Sequence, residues 1–104
     1  MVKIHGNWCG PDWTDGREIS ARDYFLAGGD FRGPCIDKLD CACRQHDKDC
    51  SGPKGCSRKG DLKLVDAADK ILNNPLNYFI NRQMYEAAAV IAPSITIASF
   101  FRKH

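Results

Sequence analysis

The pattern of apolar and polar positions predicts three main helices in this chain. A helix is expected where apolar residues recur three or four positions apart, because those positions share one face. The first such stretch covers positions 36–49 and ends at Ser51-Gly52-Pro53. Its repeating face consists of Ile36, Leu39, Cys43, His46 and Cys50. Since this face carries two cysteines and a histidine, the first helix holds residues suited to chemistry as well as to packing.

Two further helices are predicted beyond this one. The second covers about 58–73 and stops at Asn74-Pro75, because the residue before a proline disfavours helical backbone angles. The third covers about 76–91 and is predicted to end before Pro93. A short connection makes the first two helices an antiparallel pair. The tail at 94–101 is compatible with a strand, a final helical turn or a contact surface.

The first 34 residues are dense in glycine and proline, which predicts loops and turns. One short helix is expected at about 20–26, with Ser20 as its N-cap. His5 and His104 lie near the ends of the chain and are expected to be exposed. The core is expected to contain most of the aromatic residues Trp13, Phe25, Phe31, Phe100 and Phe101. The alternative is that these side chains form an exposed rim that faces lipid.

Length and cysteine content indicate a single stapled domain, 1–104. A chain of 104 residues buries a modest core, so covalent support is useful. Six cysteines predict three disulfides and a secreted, extracellular or otherwise oxidising location. The alternative is a zinc site in a reducing compartment. The Cys-x2-Cys spacing typical of such sites does not occur here.

Charge and hydropathy argue against two classes of partner or location. The net charge of +2 lacks the concentrated basic stripe of a nucleic-acid-binding protein. The mild basic cluster at 54–63 is interpreted as a solvated face, with attraction to an anionic membrane as the alternative. The uncharged stretch 87–101 is too short for a membrane span. Residues 1–5 lack a signal-peptide apolar run, so we expect a mature domain with an added Met1 or part of a larger protein.

The segments Trp8-Cys9-Gly10 and Cys43-Arg44-Gln45-His46-Asp47 carry the candidate chemistry. If Cys43 bonds Cys9, the loop backbone lies about one helical turn from His46. The loop carbonyls of Trp8, Gly10 and Asp12 then join a bidentate Asp47 carboxylate around one cation. An all-oxygen set of this kind suits Ca²⁺ rather than zinc.

His46 is the candidate general base, because an imidazole accepts a proton near neutral pH. Its second ring nitrogen needs an orienting partner, which an antiparallel second helix would supply. Asp61 and Asp66 lie closest to the position opposite His46, and Asp69 lies farther along.

These motifs resemble the secreted phospholipase A2 family. The glycine loop and the Cys-x-x-His-Asp helix occur in the family's order and spacing, and the resemblance covers about residues 7–72. The run from Gly33-Pro34-Cys35 to Leu39-Asp40 also looks like the plant-type members. The resemblance implies a mostly α-helical fold in which a disulfide-stapled antiparallel helix pair carries an N-terminal calcium-binding loop and a third, C-terminal helix.

The resemblance also implies a function. It is the calcium-dependent hydrolysis of the sn-2 ester of glycerophospholipids, by a monomer acting at a phospholipid membrane surface. His46 would activate water, the Gly10 N–H would hold the developing oxyanion, and Asp61, which precedes a short apolar run as in the family, would orient His46. Two alternatives remain: a catalytically silent phospholipase-like module that binds a membrane or receptor, and a stapled binding domain without calcium.

Three positions depart from the family pattern. Asp12 replaces the usual glycine at the fifth loop position, Ala42 stands where a second cysteine is common, and Cys50 comes four residues after the histidine instead of three. Beyond Cys9–Cys43, which follows the family, the other four cysteines allow three sets of pairings. The pairs Cys35–Cys41 and Cys50–Cys56 are favoured because both are short-range.

Overall fold

A computed structural model describes residues 3–104 of the chain. Those residues form the predicted mostly helical fold, together with one small antiparallel hairpin. The hairpin pairs β1 (Trp13–Thr14) with β2 (Arg17–Glu18). The helices are α1 (Ala21–Leu26), α2 (Lys38–Cys50), α3 (Arg58–Leu72), α4 (Leu76–Ile80) and α5 (Arg82–Ser99).

Side-chain caps fix where four of the helices begin. Each capping oxygen accepts a hydrogen bond from the backbone N–H three residues later, which satisfies one donor that the first helical turn leaves free. The capping residues of α1, α2, α3 and α5 are, in that order, Ser20, Asp37, Ser57 and Asn81. A cap of this kind is worth about 1 kcal/mol, so the starts of the helices are encoded locally.

Helices α2 and α3 form the expected antiparallel pair. His46 contacts Asp61, and one turn away Asp49 lies against Gly60, so residue numbers rise along one helix as they fall along the other. A Cβ on Gly60 would come within 3.2 Å of the Asp49 carboxylate, so the glycine permits this close approach. Helix α5 packs on α3, and their buried faces join the N-terminal aromatic residues in one core.

All six cysteines are paired, which confirms three disulfides. The bonds are Cys9–Cys43, Cys35–Cys41 and Cys50–Cys56. The first ties the N-terminal loop to the middle of α2, and the third ties the end of α2 to the loop before α3. All the cross-links therefore lie between positions 9 and 56.

The C-terminal region differs from the sequence prediction. The single helix predicted at 76–91 is two helices, and α5 runs through Pro93 to Ser99. Proline removes one helical hydrogen bond, but Ile91 and Ala92 before it and Ser99 after it are buried. Packing on both sides of Pro93 therefore holds the helix together where local preference predicts an end. The tail at 94–99 is helical.

Burial corrects several other predictions. His5 is buried rather than exposed, and its Nε2 donates to Asp37 at 2.6 Å. Of the aromatic residues assigned mainly to the core, Phe31 is buried, whereas Phe25, Phe100 and Phe101 are exposed. Helices within residues 3–104 are all too short or too polar to cross a membrane.

Candidate active site

A cavity of about 570 Å³ opens between the N-terminal loop, α2 and the C-terminal region. Every residue predicted for the site except Asp61 lines it, and Asp61 lies directly behind His46. The predicted residues in its wall are Trp8, Gly10, Asp12, His46 and Asp47, and two arginines, Arg22 and Arg102, also line it.

A buried aspartate positions the loop. Asp40 is fully buried in the first turn of α2 and accepts backbone N–H groups from Asn7 at 3.1 Å, Trp8 at 2.9 Å and Ile36 at 3.0 Å. A carboxylate that accepts several backbone donors is well compensated for its burial. Asp40 therefore fixes the loop against α2 at the point where the Cys9–Cys43 bond joins them.

The loop backbone has unusual angles next to the cavity. Gly10 has φ 141° and Asp12 has φ 53°, both in a region that favours glycine. Aspartate tolerates this region better than most residues, so the loop accommodates Asp12 where the phospholipase pattern that it resembles has glycine. Asp12 is exposed and also lines the cavity.

His46 is bound to a buried carboxylate. Its Nε2 lies 2.7 Å from Oδ1 of Asp61, and because a carboxylate only accepts, the imidazole nitrogen donates. Nδ1 is then the nitrogen free to take a proton. Burial raises the pKa of Asp61, but hydrogen bonds from Arg102 and His46 outweigh it and leave the pKa below its usual value. Asp61 is therefore ionised at neutral pH.

The other two aspartates considered as partners of His46 face solvent. Asp66 pairs with Lys70 on the exposed side of α3, and Asp69 is also exposed. Of the three, Asp61 alone contacts His46 in the structure.

Asp47 has a buried carboxyl oxygen without a hydrogen-bond partner. Its Oδ2 is buried and has no hydrogen-bond partner among residues 3–104. Burial, together with the negative charge of Asp40, raises the pKa of the Asp47 carboxyl from 3.8 to about 8. A buried oxygen without a donor is costly unless something positive approaches it. Asp47 therefore has the property expected of a cation ligand.

A second possible metal group surrounds His46. The ligand atoms of His46, Cys50 and Cys56 lie within 4.8 Å of one another. The two sulfurs are bonded to each other, however, and a disulfide does not supply the thiolates that zinc requires. With this disulfide formed, Cys50 and Cys56 therefore pack against the imidazole of His46 and do not supply thiolate ligands.

The sequence did not indicate the roles of two members of the site. Asp40 belongs to the run that resembles the plant-type phospholipases, but only the structure shows that it is buried and holds the N-terminal loop. Arg102 lies outside the segment that resembles the phospholipase family, and the sequence alone leaves the structure of the tail before it open.

Comparison with known proteins assigns neither a family nor a function to this chain. No family model, no curated protein and no solved structure matches this chain.

Proposed function

We propose that this protein is a calcium-dependent phospholipase A2 that hydrolyses the sn-2 ester of glycerophospholipids. One observation carries the proposal: the Asp61-bound imidazole of His46 and the unsatisfied carboxylate of Asp47 line the same cavity as the Trp8–Asp12 loop. A base beside a cation ligand is the arrangement that ester hydrolysis by activated water requires.

The donor set fits calcium. Asp47 would supply carboxylate oxygens, and Trp8, Gly10 and Asp12 would supply backbone carbonyls, all hard ligands. The Gly10 carbonyl accepts the Trp13 N–H at 3.3 Å, which leaves its second lone pair for a cation. When bound, calcium supplies positive charge that polarises the ester carbonyl and neutralises the lipid phosphate.

The chain's own residues account for the proton transfers. Nδ1 of His46 takes a proton from water as the oxygen attacks the ester carbonyl, and Asp61 stabilises the resulting imidazolium through Nε2. The Gly10 N–H donates to the oxygen on which negative charge develops. His46 then returns the proton to the departing alcohol oxygen, which leaves a free fatty acid and a lysophospholipid.

An exposed apolar segment beside the cavity supports a lipid surface as partner. Ile97, Phe100 and Phe101 are 60–80% exposed. They lie next in sequence to Ser94, Ile95 and Arg102, which line the cavity. Lys103 extends the segment with a positive charge, and apolar side chains bordered by basic ones are typical of residues that meet a membrane interface. The disulfides are consistent with an extracellular or otherwise oxidising location.

The proposal is tested on phosphatidylcholine vesicles whose sn-1 and sn-2 chains differ. With millimolar calcium we expect release of the sn-2 acid alone, and with chelator a rate near that of vesicles without protein. Release of the sn-1 acid would contradict the assignment. Calcium-dependent vesicle binding with no release of either acid would favour the catalytically silent module instead.

The Cys9–Cys43 bond is expected to contribute to calcium affinity as well as to the stability of the fold. Changing both cysteines to serine frees the loop from α2 and should lower calcium affinity at least tenfold, measured by the fluorescence of Trp8 and Trp13. Loss of this 34-residue closure should cost about 4 kcal/mol of unfolding free energy. The matched control is the Cys35→Ser/Cys41→Ser variant, which should lose about 2 kcal/mol and keep its calcium affinity. Equal losses of affinity in both variants would contradict a specific role for Cys9–Cys43.

A further inference from the structure

Arg102 makes a two-point contact with the carboxylate that holds His46. Its Nε donates to Oδ2 of Asp61 at 2.6 Å, and its Nη2 donates to Oδ1 at 3.2 Å. Asp61 is fully buried, and Oδ1 also accepts from Nε2 of His46. The planar guanidinium matches a carboxylate at two atoms, which prevents the carboxylate from rotating.

The tail that carries Arg102 is itself fixed to the start of α3. The backbone N–H of Arg58 donates to the His104 carbonyl at 2.7 Å, and the Arg58 side chain donates to the carbonyls of Ser99 and Arg102. His104 in turn donates from Nε2 to the Lys54 carbonyl at 2.9 Å. Arg58 lies one helical turn before Asp61, so Arg102 and Asp61 belong to one anchored unit.

We propose that Arg102 is a positioning residue of the site, which holds the Asp61 carboxylate in the orientation that directs Nδ1 of His46 toward the cavity. This inference rests on the proposed function for its catalytic readout. Without the arginine, Asp61 keeps one hydrogen-bonding side-chain partner, and both the carboxylate and the imidazole gain rotational freedom. Calcium binding involves a different part of the cavity wall and is left unchanged.

The test compares Arg102→Ala and Arg102→Lys with Arg82→Ala, which removes an exposed arginine that pairs with Glu86 on α5 and does not line the cavity. Outer residues that orient a functional ligand are typically worth about 10–100-fold. We expect Arg102→Ala to lower kcat by about that factor, with KM and the calcium midpoint within about twofold of wild type. Lysine restores the charge but not the two-point contact, so Arg102→Lys should lie between alanine and wild type. Arg82→Ala should behave as wild type.

A second readout does not depend on turnover. In the ¹⁵N NMR spectrum of the imidazoles, wild type should show His46 as one tautomer protonated at Nε2, and Arg102→Ala should show a mixture of tautomers or an exchange-broadened signal. This holds even if no lipid is hydrolysed, so failure of the proposed function is distinguishable from failure of this inference. An unchanged His46 signal in Arg102→Ala would overturn it. An unchanged kcat in Arg102→Lys would also overturn the inference. This variant replaces Arg102→Ala in the test if the alanine variant does not fold.

Discussion

Replacing His46 with glutamine is expected to lower the rate of fatty-acid release by about 10²–10⁴-fold, the usual contribution of a positioned general base. Glutamine is close to histidine in size and can still donate to Asp61, but it cannot take a proton from water. Calcium affinity should stay near that of wild type, because Asp47 and the loop carbonyls are unchanged. The measurement is initial release from mixed-chain vesicles at saturating calcium, with circular dichroism to confirm folding.

His5→Gln is the matched control for that variant. His5 is also buried and also bonded to an aspartate, Asp37, but it does not line the cavity that contains His46. Its loss should lower the free energy of unfolding by about 1–3 kcal/mol, because it disturbs a buried hydrogen bond, and leave kcat unchanged. If both variants lost activity equally, or His46→Gln kept full activity, His46 would not be the base.

Replacing Asp47 with asparagine is expected to stabilise the calcium-free protein and abolish its stabilisation by calcium. In wild type the Asp47 pKa is about 8 in the folded state, against about 3.9 for an unfolded chain. Below pH 4 the carboxyl is protonated in both states and costs nothing. As pH rises from 4 to 8 the unfolded state loses this proton first, so the free energy of unfolding falls, and above pH 8 the penalty is complete. Asparagine carries no charge and should recover most of this penalty, which at about 1.4 kcal/mol for each of roughly four pH units amounts to about 5 kcal/mol near pH 8.

Urea unfolding at pH 5 and pH 8 checks this, with and without calcium. With chelator, Asp47→Asn should exceed wild type in stability by more at pH 8 than at pH 5. With calcium at about 100 times its dissociation constant, wild type should gain about 2.7 kcal/mol and the variant nothing. Asp12→Asn is the control, because that exposed side chain lies in the same loop and its carbonyl is retained. Equal stability of Asp47→Asn and wild type at both pH values would show that the carboxylate has a partner in solution.

The parts of the fold predicted from the sequence are those decided locally. Helices α2 and α3 follow from apolar spacing and from stop signals a few residues away. The disulfide pairs Cys35–Cys41 and Cys50–Cys56 follow from short separation. Folding the two helices back about a short loop narrows the partner of His46 to Asp61 or Asp66, and the resemblance to the phospholipase family then favours Asp61. The face of α3 on which each aspartate lies decides between them in the structure.

The parts that were missed depend on distant packing. Local preference predicts that α5 ends before Pro93, whereas burial of residues on both sides of it against the rest of the core decides otherwise. His5 is close to the chain start and so was expected to be exposed, yet its bond to Asp37 holds it inside. Arg102 reaches Asp61 across 41 positions, and no periodicity or motif links the two.

The three disulfides divide the molecule into two halves that respond differently to partial unfolding. Residues 9–56 stay covalently cross-linked in any partly unfolded state that keeps the disulfides. Packing and hydrogen bonds alone hold α3, α4, α5 and the tail. The proposed calcium ligands lie within the cross-linked half or next to it, and Asp61 and Arg102 belong to the other half. Partial unfolding of the C-terminal half would separate His46 from Asp61 while the loop stays tied to α2. If the protein is the proposed phospholipase, such a state is expected to be inactive and to refold without any change of disulfide, which would give a reversible route into and out of activity.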